Sequence, residues 1–216
     1  MARPQTLIIV GNIASGKSTA VPLLAKHFQG KEILADELFQ TIDPFAKPYL
    51  KDLKRWSFTN ELWLTYERSK LIKKELRRRI PKLSIIDSGL LMSWVYSYGH
   101  SVSGSMTEDE WELYQKLYDS LSVTILKCVS VVMLDYPIET WIARMKKRGR
   151  AFELKYYTPE YLRQIQRGLE ALKHKLWRHS VPVTIITEKD CPDFEANEKD
   201  CEFLIQKVTE ALGEGK

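Results

Sequence analysis

The stretch that most constrains the fold of this chain is GNIASGKS, residues 11–18. An apolar run, TLIIV (6–10), precedes it, and a segment with helical period, 17–28, follows it. A GxxxxGK[ST] motif between a strand and a helix is typical of a phosphate-binding loop. Gly11 and Gly16 let successive backbone N–H groups point inward, and the helix N-terminus adds partial positive charge. The sequence therefore predicts an α/β fold built around bound phosphate.

Within this loop, Lys17 is expected to bridge the outer phosphates of a nucleotide, and Ser18 to ligate Mg²⁺. The predicted nucleotide-binding residues of the loop are Gly11, Asn12, Ala14, Ser15, Gly16, Lys17, Ser18 and Thr19.

The rest of the chain alternates short apolar runs with helical segments. Four more apolar runs follow the first, at 32–35, 83–87, 129–134 and 183–187. Helical period appears at 58–79, 107–121, 137–149, 159–178 and 198–212. Strands that are apolar throughout and separated by helices predict a five-stranded parallel sheet with helices on both faces. We expect one domain over residues 1–216, with a flexible loop at 98–106 and a capping box from Thr107 to Glu110.

The bulk properties exclude several classes of protein. The net charge of +5 comes from three basic clusters, two of which have the pattern of solvated helix faces, so we expect no nucleic acid as partner. No apolar run approaches the ~20 residues of a membrane helix, and the N-terminus has no export signal. Cys128, Cys191 and Cys201 lack CxxC spacing, which favours a reducing, cytoplasmic location over a disulfide framework or zinc site.

The third basic cluster, RMKKRGRAFE (144–153), has two interpretations. It is either an exposed basic helix end or a lid whose Arg144, Arg148 and Arg150 converge on a transferring phosphoryl group. The phosphate-loop motif favours the arginine-rich lid.

Acidic residues follow two of the predicted strands. Asp36 and Glu37 end the second apolar run, and Asp87 ends the third. Because the site of an open parallel sheet lies outside the carboxyl ends of its strands, both groups should face the phosphate loop. Asp87 is a candidate ligand of Mg²⁺, and one of the earlier pair a candidate to orient a hydroxyl nucleophile. The alternative is that either acid only caps the next helix.

Four segments together resemble the deoxyribonucleoside kinases of the deoxycytidine, deoxyguanosine and deoxyadenosine kinase type. GNIASGKST resembles the phosphate loop of that family, and KRWSFTNELWLTYERSKL (54–71) resembles its base-binding helix. RMKKRGRAFE is similar to its lid, and CPDFEANEKDCEFLIQKV (191–208) is similar to its C-terminal segment. The likeness extends over nearly the whole chain and implies a P-loop kinase fold.

The resemblance also implies roles for individual residues. Glu37 would accept the proton of the nucleoside 5′-hydroxyl, with Lys17, Arg144, Arg148 and Asp87 completing the catalytic set. Arg148, Arg150, Asp193 and Phe194 would bind ATP. The implied nucleoside contacts are Glu37, Tyr49, Trp56, Phe58, Glu61, Arg68, Ser93 and Glu153, of which Glu153 would hold the sugar 3′-hydroxyl.

The chain departs from the family pattern in two places. Asp87-Ser88-Gly89 stands where many members have Glu-Arg-Ser, so an arginine expected near the phosphates is missing. Ser93 replaces an acid that often contacts the base. These changes bear on catalytic efficiency and on base specificity, respectively.

The leading interpretation is an ATP- and Mg²⁺-dependent kinase that phosphorylates the 5′-hydroxyl of a purine deoxyribonucleoside in nucleotide salvage. One alternative is a nucleoside monophosphate kinase of the thymidylate kinase kind, and another is a non-catalytic nucleotide-binding module of the same fold. Deoxyguanosine is expected over deoxyadenosine, because an ionised Glu61 can only accept hydrogen bonds. A protonated Glu61 would regain a donor and accept adenine.

The helices at 58–79 and 107–121 carry more apolar residues than one sheet face needs. We therefore expect a homodimer formed through some of Leu62, Trp63, Trp111, Leu113, Tyr114, Leu117 and Tyr118.

Overall fold

Five parallel strands form a single sheet in the computed structural model, which describes residues 6–35, 42–77 and 83–213 apart from the side chain of Phe152. The strands are β1 (Thr6–Gly11), β2 (Lys31–Leu34), β3 (Ser84–Asp87), β4 (Val129–Asp135) and β5 (Val183–Thr187). Their order across the sheet is β2-β3-β1-β4-β5. In this register Ile9 of β1 lies opposite Asp87 of β3 and Val132 of β4. The predicted phosphate-binding motif therefore directly follows β1, the central strand of the sheet.

Helices connect the strands and cover both faces of the sheet. They are α1 (Lys17–His27), α2 (Ala46–Lys51), α3 (Leu53–Leu76), α4 (Gly89–Val102), α5 (Glu108–Leu126), α6 (Ile138–Arg148), α7 (Ala151–Tyr156), α8 (Pro159–Arg178) and α9 (Glu198–Ala211). The side chains of β1 alternate between two cores. Leu7 and Ile9 pack with α1, α6 and α9, whereas Ile8 and Val10 pack with α3, α4, α5 and α8. The predicted α/β fold, with a parallel sheet covered on both faces, is confirmed.

The predicted loop at 98–106 is wrong over its first half, because α4 continues to Val102. This helix gave no periodic signal since it is apolar on every side, and its residues 89–95 are all buried. The capping box that starts α5 is confirmed. The Thr107 hydroxyl accepts a hydrogen bond from the Glu110 amide at 3.2 Å, and the Glu110 carboxylate accepts one from the Thr107 amide at 2.9 Å.

The predicted dimer interface is wrong for two of its residues, Tyr114 and Tyr118. Tyr114 and Tyr118 of α5 are fully buried inside the monomer, where Tyr114 stacks on Trp111 and its ring also lies beside that of Tyr118. One face of α5 therefore packs into the core and the other faces the surface, and of the residues predicted at the interface Leu113 is exposed, at 48%.

No helix in the described ranges combines the length and the apolar character that crossing a membrane requires.

Candidate active site

A cavity of about 1030 Å³ opens at the carboxyl ends of the strands. Its floor is the loop between β1 and α1, together with Asp87 at the end of β3. One wall comes from α2 and α3, the opposite wall from the lid segment at α6 and α7, and a third from residues 193–196. The structure therefore brings the predicted phosphate loop, base-binding helix, lid and C-terminal segment around one space.

The phosphate loop has the conformation that its glycines permit. Gly16 has φ +99°, and a Cβ atom there would lie 2.8 Å from Cζ of Phe194. A side chain at Gly11 would lie 2.5 Å from the Ser15 hydroxyl. Lys17 is buried and donates to the carbonyl oxygens of Gly11 and Asn12, both at 3.1 Å. Lys17 thus closes the loop on itself, and its ammonium group lies on the cavity wall.

Asn12 has a function that the motif did not reveal. Its side-chain amide donates to the carbonyl of Leu162 at 3.0 Å, and its side-chain oxygen accepts from the amide of Ile13 at 2.8 Å. Asn12 is fully buried and is absent from the cavity wall, so it joins the loop to α8.

Phe194 packs beneath the loop as well as lining the cavity. Its side chain is 4% exposed and belongs to the core that contains α1 and α9. Asp193 shapes the same segment, because its carboxylate accepts from the amides of Glu195 and Ala196, both at 3.2 Å. Asp193 and Phe194 both line the cavity, and their contacts with a nucleotide stay a prediction.

Arg144 connects the phosphate loop to this C-terminal segment. It donates to the carbonyl of Ser15 at 3.2 Å and to the carbonyl of Pro192 at 2.8 Å. Its guanidinium lies 4.5 Å from the centroid of the Tyr136 ring. Arg144 also lines the cavity, but its contacts are those of a brace between two loops, and its catalytic function stays a prediction.

The other two lid arginines share one carboxylate. Arg148 donates to Glu153 at 2.6 Å, and Arg150 donates to the other oxygen of Glu153 at 3.3 Å. The Glu153 side chain is 8% exposed and lies on the cavity wall. Glu153, which was predicted to contact the sugar, thus pairs with both Arg148 and Arg150.

The two predicted metal ligands both line the cavity. Ser18 is exposed, whereas Asp87 is buried and accepts a hydrogen bond from the Ser88 hydroxyl at 2.8 Å. Ser88 has φ +64°, which bends the chain sharply between β3 and α4. The described residues contain no cluster of three or more acidic, histidine or cysteine side chains that could hold a metal. A hydroxyl and a carboxylate beside a phosphate loop suit Mg²⁺, which takes few protein ligands and completes its shell with phosphate and water.

The base-binding wall is built on α3. Glu61 and Arg68 are seven residues apart, so they lie on one face of the helix, and both are 2% exposed on the cavity wall. Arg68 donates to the hydroxyl of Ser93 at 2.8 Å. Ser93 itself is fully buried and does not line the cavity.

Tyr49 lies on the same wall and belongs to a buried hydrogen-bond network. Its hydroxyl bonds Nε2 of His100 at 2.9 Å and also bonds Tyr161. Burial raises the pKa of Tyr49 well above its usual value, and burial lowers the pKa of His100 to about 4. At neutral pH the tyrosine is therefore protonated and the imidazole uncharged.

Some cavity residues were missed by the sequence reasoning, and Trp56 and Phe58, like Asn12 and Ser93, do not line the cavity. Tyr96, Tyr156, Tyr157 and Tyr161 line the cavity. Three of these come from KYYTPEY directly after the lid, which was a usable signal. Trp56 and Phe58 do not line the cavity: Trp56 stacks on Phe45 at 5.9 Å, and Phe58 packs against the core. Asp36 and Glu37 lie outside the described residues.

Comparison with known proteins assigns the chain to a family. The model of the deoxynucleoside kinases matches residues 7–213. This chain belongs to the deoxynucleoside kinase family. It is therefore a phosphotransferase that acts on a nucleoside, which decides against the monophosphate kinase and the non-catalytic module.

Relatives in this family have different named substrates. The chain is 25% identical to a deoxyguanosine kinase of Bacillus subtilis, over 95% of this chain and 97% of that protein. It is 22% identical to a deoxyadenosine kinase of Lactobacillus acidophilus, over 97% of both. Among solved structures, the deoxyadenosine kinase of M. mycoides with bound dATP aligns with a TM-score of 0.74 at 21% identity, covering 94% of this chain and 98% of that one. These likenesses support the fold and leave the preferred base open.

Proposed function

We propose that this enzyme transfers the γ-phosphoryl group of ATP to the 5′-hydroxyl of a purine deoxyribonucleoside and prefers deoxyguanosine. The observation that carries the proposal is that Glu61 and Arg68 lie buried on the wall of the same cavity as Lys17. A site for a base edge and a site for phosphates thus face one space.

The proposed donor site has the parts that phosphoryl transfer requires. Lys17 and the backbone amides of its loop bind the phosphates of ATP, and Ser18 with Asp87 holds Mg²⁺. Mg²⁺ supplies charge neutralisation at the transferring group. Arg148 and Arg150 leave Glu153 to bind the phosphates, while Glu37 takes the proton of the 5′-hydroxyl. Positioning and charge neutralisation supply most of the rate enhancement in such reactions.

The proposed base preference follows from hydrogen-bond chemistry. An ionised Glu61 accepts but does not donate, and guanine presents N1–H and N2–H₂ side by side as donors. Arg68 donates to guanine O6. It supplies this donor rather than Ser93, because the Ser93 hydroxyl is away from the cavity wall. Adenine would place its N1 lone pair against the carboxylate, and an unpaired buried group costs ~1–3 kcal/mol, or about 5- to 150-fold.

A panel of deoxyguanosine, deoxyadenosine, deoxycytidine and thymidine, each assayed with ATP, tests the proposal. The wild-type enzyme should have the highest kcat/KM with deoxyguanosine. Glu61→Gln should raise the ratio of deoxyadenosine to deoxyguanosine by about 5-fold or more, because the amide both donates and accepts. Glu67→Gln is the matched control, since Glu67 lies on the same helix, pairs with Lys70 and is absent from the cavity wall.

Two outcomes would contradict this assignment. Thymidine as the best substrate would remove the purine preference, and an unchanged ratio in Glu61→Gln would show that Glu61 does not contact the base edge. Lys17→Ala should nearly abolish turnover with every nucleoside, and retained activity would make the phosphate-loop assignment wrong.

We also propose that the enzyme is a homodimer that pairs through α3 and α5. Tyr66, Leu113 and Val123 support this, because they leave large apolar side chains 51%, 48% and 45% exposed on these two helices. Light scattering should give twice the monomer mass of 25.2 kDa. Leu113→Arg should return a monomer that is still folded by circular dichroism, whereas Lys116→Arg on the same helix should leave the dimer intact. A wild-type protein at the monomer mass would end this proposal.

The cytoplasmic location stays a prediction from the sequence.

A further inference from the structure

We propose that Lys147, which no sequence motif singled out, binds the β- and γ-phosphates of the nucleotide. This inference rests on the proposed donor site and adds a cation to it. Lys147 lies on the lid helix α6 and lines the cavity.

The first observation concerns the partners of the cations on the lid. Arg144 is held by two backbone carbonyls and a tyrosine ring, and Arg148 and Arg150 are held by Glu153. Lys147 is exposed and forms no hydrogen bond or ion pair with any residue that the structure describes. Four cations of the described lid line the cavity, and of these Lys147 can bind a ligand without first losing an existing contact.

The second observation is the direction in which Lys147 points. Residues 144, 147 and 148 are spaced i, i+3 and i+4 on α6, so their side chains share one face of the helix. Arg144 on that face reaches the carbonyl of Ser15 in the phosphate loop. Lys147 lies one turn further along the same face, whereas the neighbouring Lys146 is exposed and does not line the cavity.

The third observation is the shortage of positive charge on the floor of the site. Asp87 and Ser88 end β3 beside the phosphate loop, and Ser88 is a fully buried hydroxyl that donates to Asp87. Lys17 is the cation that the described floor contributes, and it is already bonded to two carbonyls of its own loop. A triphosphate carries about four negative charges, of which Mg²⁺ and Lys17 together would offset about three, so a further cation from the lid would complete the balance. The ammonium of lysine is a compact charge on a flexible stem, which suits a phosphate tail.

Calorimetric titration of Mg²⁺·ATP, Mg²⁺·ADP and AMP into the wild-type enzyme, Lys147→Gln and Lys146→Gln tests this inference. The two variants remove the same charge from adjacent residues of one helix. Lys147→Gln should weaken ATP binding about tenfold, as expected for one charge-assisted hydrogen bond, ADP binding by less, and AMP binding by under about twofold. Lys146→Gln should change all three by under about twofold, and Lys147→Arg should restore ATP binding.

Equal effects of Lys147→Gln and Lys146→Gln on ATP would overturn the inference. So would a loss for AMP as large as the loss for ATP, since AMP has no β- or γ-phosphate. The nucleoside panel on the wild-type enzyme tests the proposed function separately, because the titrations measure nucleotide binding without turnover.

Discussion

Gly16 combines two requirements that only glycine meets at once. Its backbone has φ +99°, and a Cβ atom would lie 2.8 Å from Cζ of Phe194. The first requirement is conformational and costs an L-residue about 1–2 kcal/mol, whereas the second is a steric clash with a buried ring. The loop of residues 11–18 and the segment that contains Phe194 are therefore packed directly against each other at Gly16.

Gly16→Ala should lower the free energy of unfolding by more than Gly104→Ala, with urea denaturation as the measurement. Gly104 is the matched control, since it also has positive φ, at +73°, but has nothing within 4 Å of its missing Cβ. The control measures the conformational cost alone, about 1 kcal/mol. Equal losses in the two variants would show that Phe194 moves aside without cost.

At the scale of elements, two ion pairs join the C-terminal end of the lid helix α6, and the loop after it, to the following helix α7. Glu153 binds Arg148 and Arg150, and the Arg148 side chain is only 29% exposed in this contact. Removing one partner of a partly buried pair costs more than doing so on the open surface, because the remaining charge is left without a partner away from water. If these arginines bind nucleotide as proposed, its phosphates would compete with Glu153 for the same guanidinium groups.

Glu153→Gln should make the lid open more often and speed tryptic cleavage after Lys146, Lys147, Arg148 or Arg150 several-fold in the absence of nucleotide. Mass spectrometry of early fragments measures this. Glu160→Gln is the control, because it breaks a pair on the open surface in which Glu160 is 73% and Arg163 is 56% exposed. This variant should leave the cleavage rate unchanged. If Glu153→Gln were cleaved at the wild-type rate, the ion pairs would not hold the lid.

How far the sequence predicts each element depends on how local its determinants are. The phosphate loop was predictable because its glycines, lysine and serine act within eight residues. Glu61 and Arg68 were implied by the resemblance of residues 54–71 to the base-binding helix of the family, and both lie on the single helix α3. The helix α4 was missed because it is buried on every side, and the bond from Tyr49 to His100 joins residues too distant in the chain for any local pattern. Tyr96 was missed together with α4, whereas Tyr161 follows the lid within KYYTPEY and had a usable local signal.

At the scale of the whole molecule, one buried histidine couples stability to pH. His100 is 3% exposed, contacts Tyr49, and burial lowers its pKa to about 4 from an unfolded value of 6.5. Between these two values the unfolded chain binds more protons than the folded one. Stability from this group is therefore complete above about pH 6.5 and falls as the pH drops toward 4.

Between about pH 7 and pH 5, the wild-type enzyme should lose roughly 2 kcal/mol more of unfolding free energy than His100→Gln, measured by chemical denaturation. Glutamine keeps a hydrogen-bonding group near Tyr49 but does not titrate. The comparison is made within each protein between the two pH values, so a uniform loss of stability in the variant does not affect it. The same pH dependence in both proteins would contradict the assignment.

All five described strands belong to one sheet, which supports the proposal that residues 1–216 form one domain. That sheet also has a consequence for how the chain folds during synthesis. The central strand β1 leaves the ribosome first, but its neighbours β3 and β4 begin only at Ser84 and Val129. Pairing between strands so distant in the chain is slow, and an emerging β1 has no neighbouring strand to bond its backbone N–H and C=O groups.

The phosphate loop, residues 11–18, depends on residues that are synthesised even later than β3 and β4. Its supports include Arg144, Leu162 and Phe194, so the first functional motif to be synthesised is among the last to be completed. A nascent chain that ends before Phe194 should not retain ATP, and nucleotide binding then reports that folding is finished rather than under way.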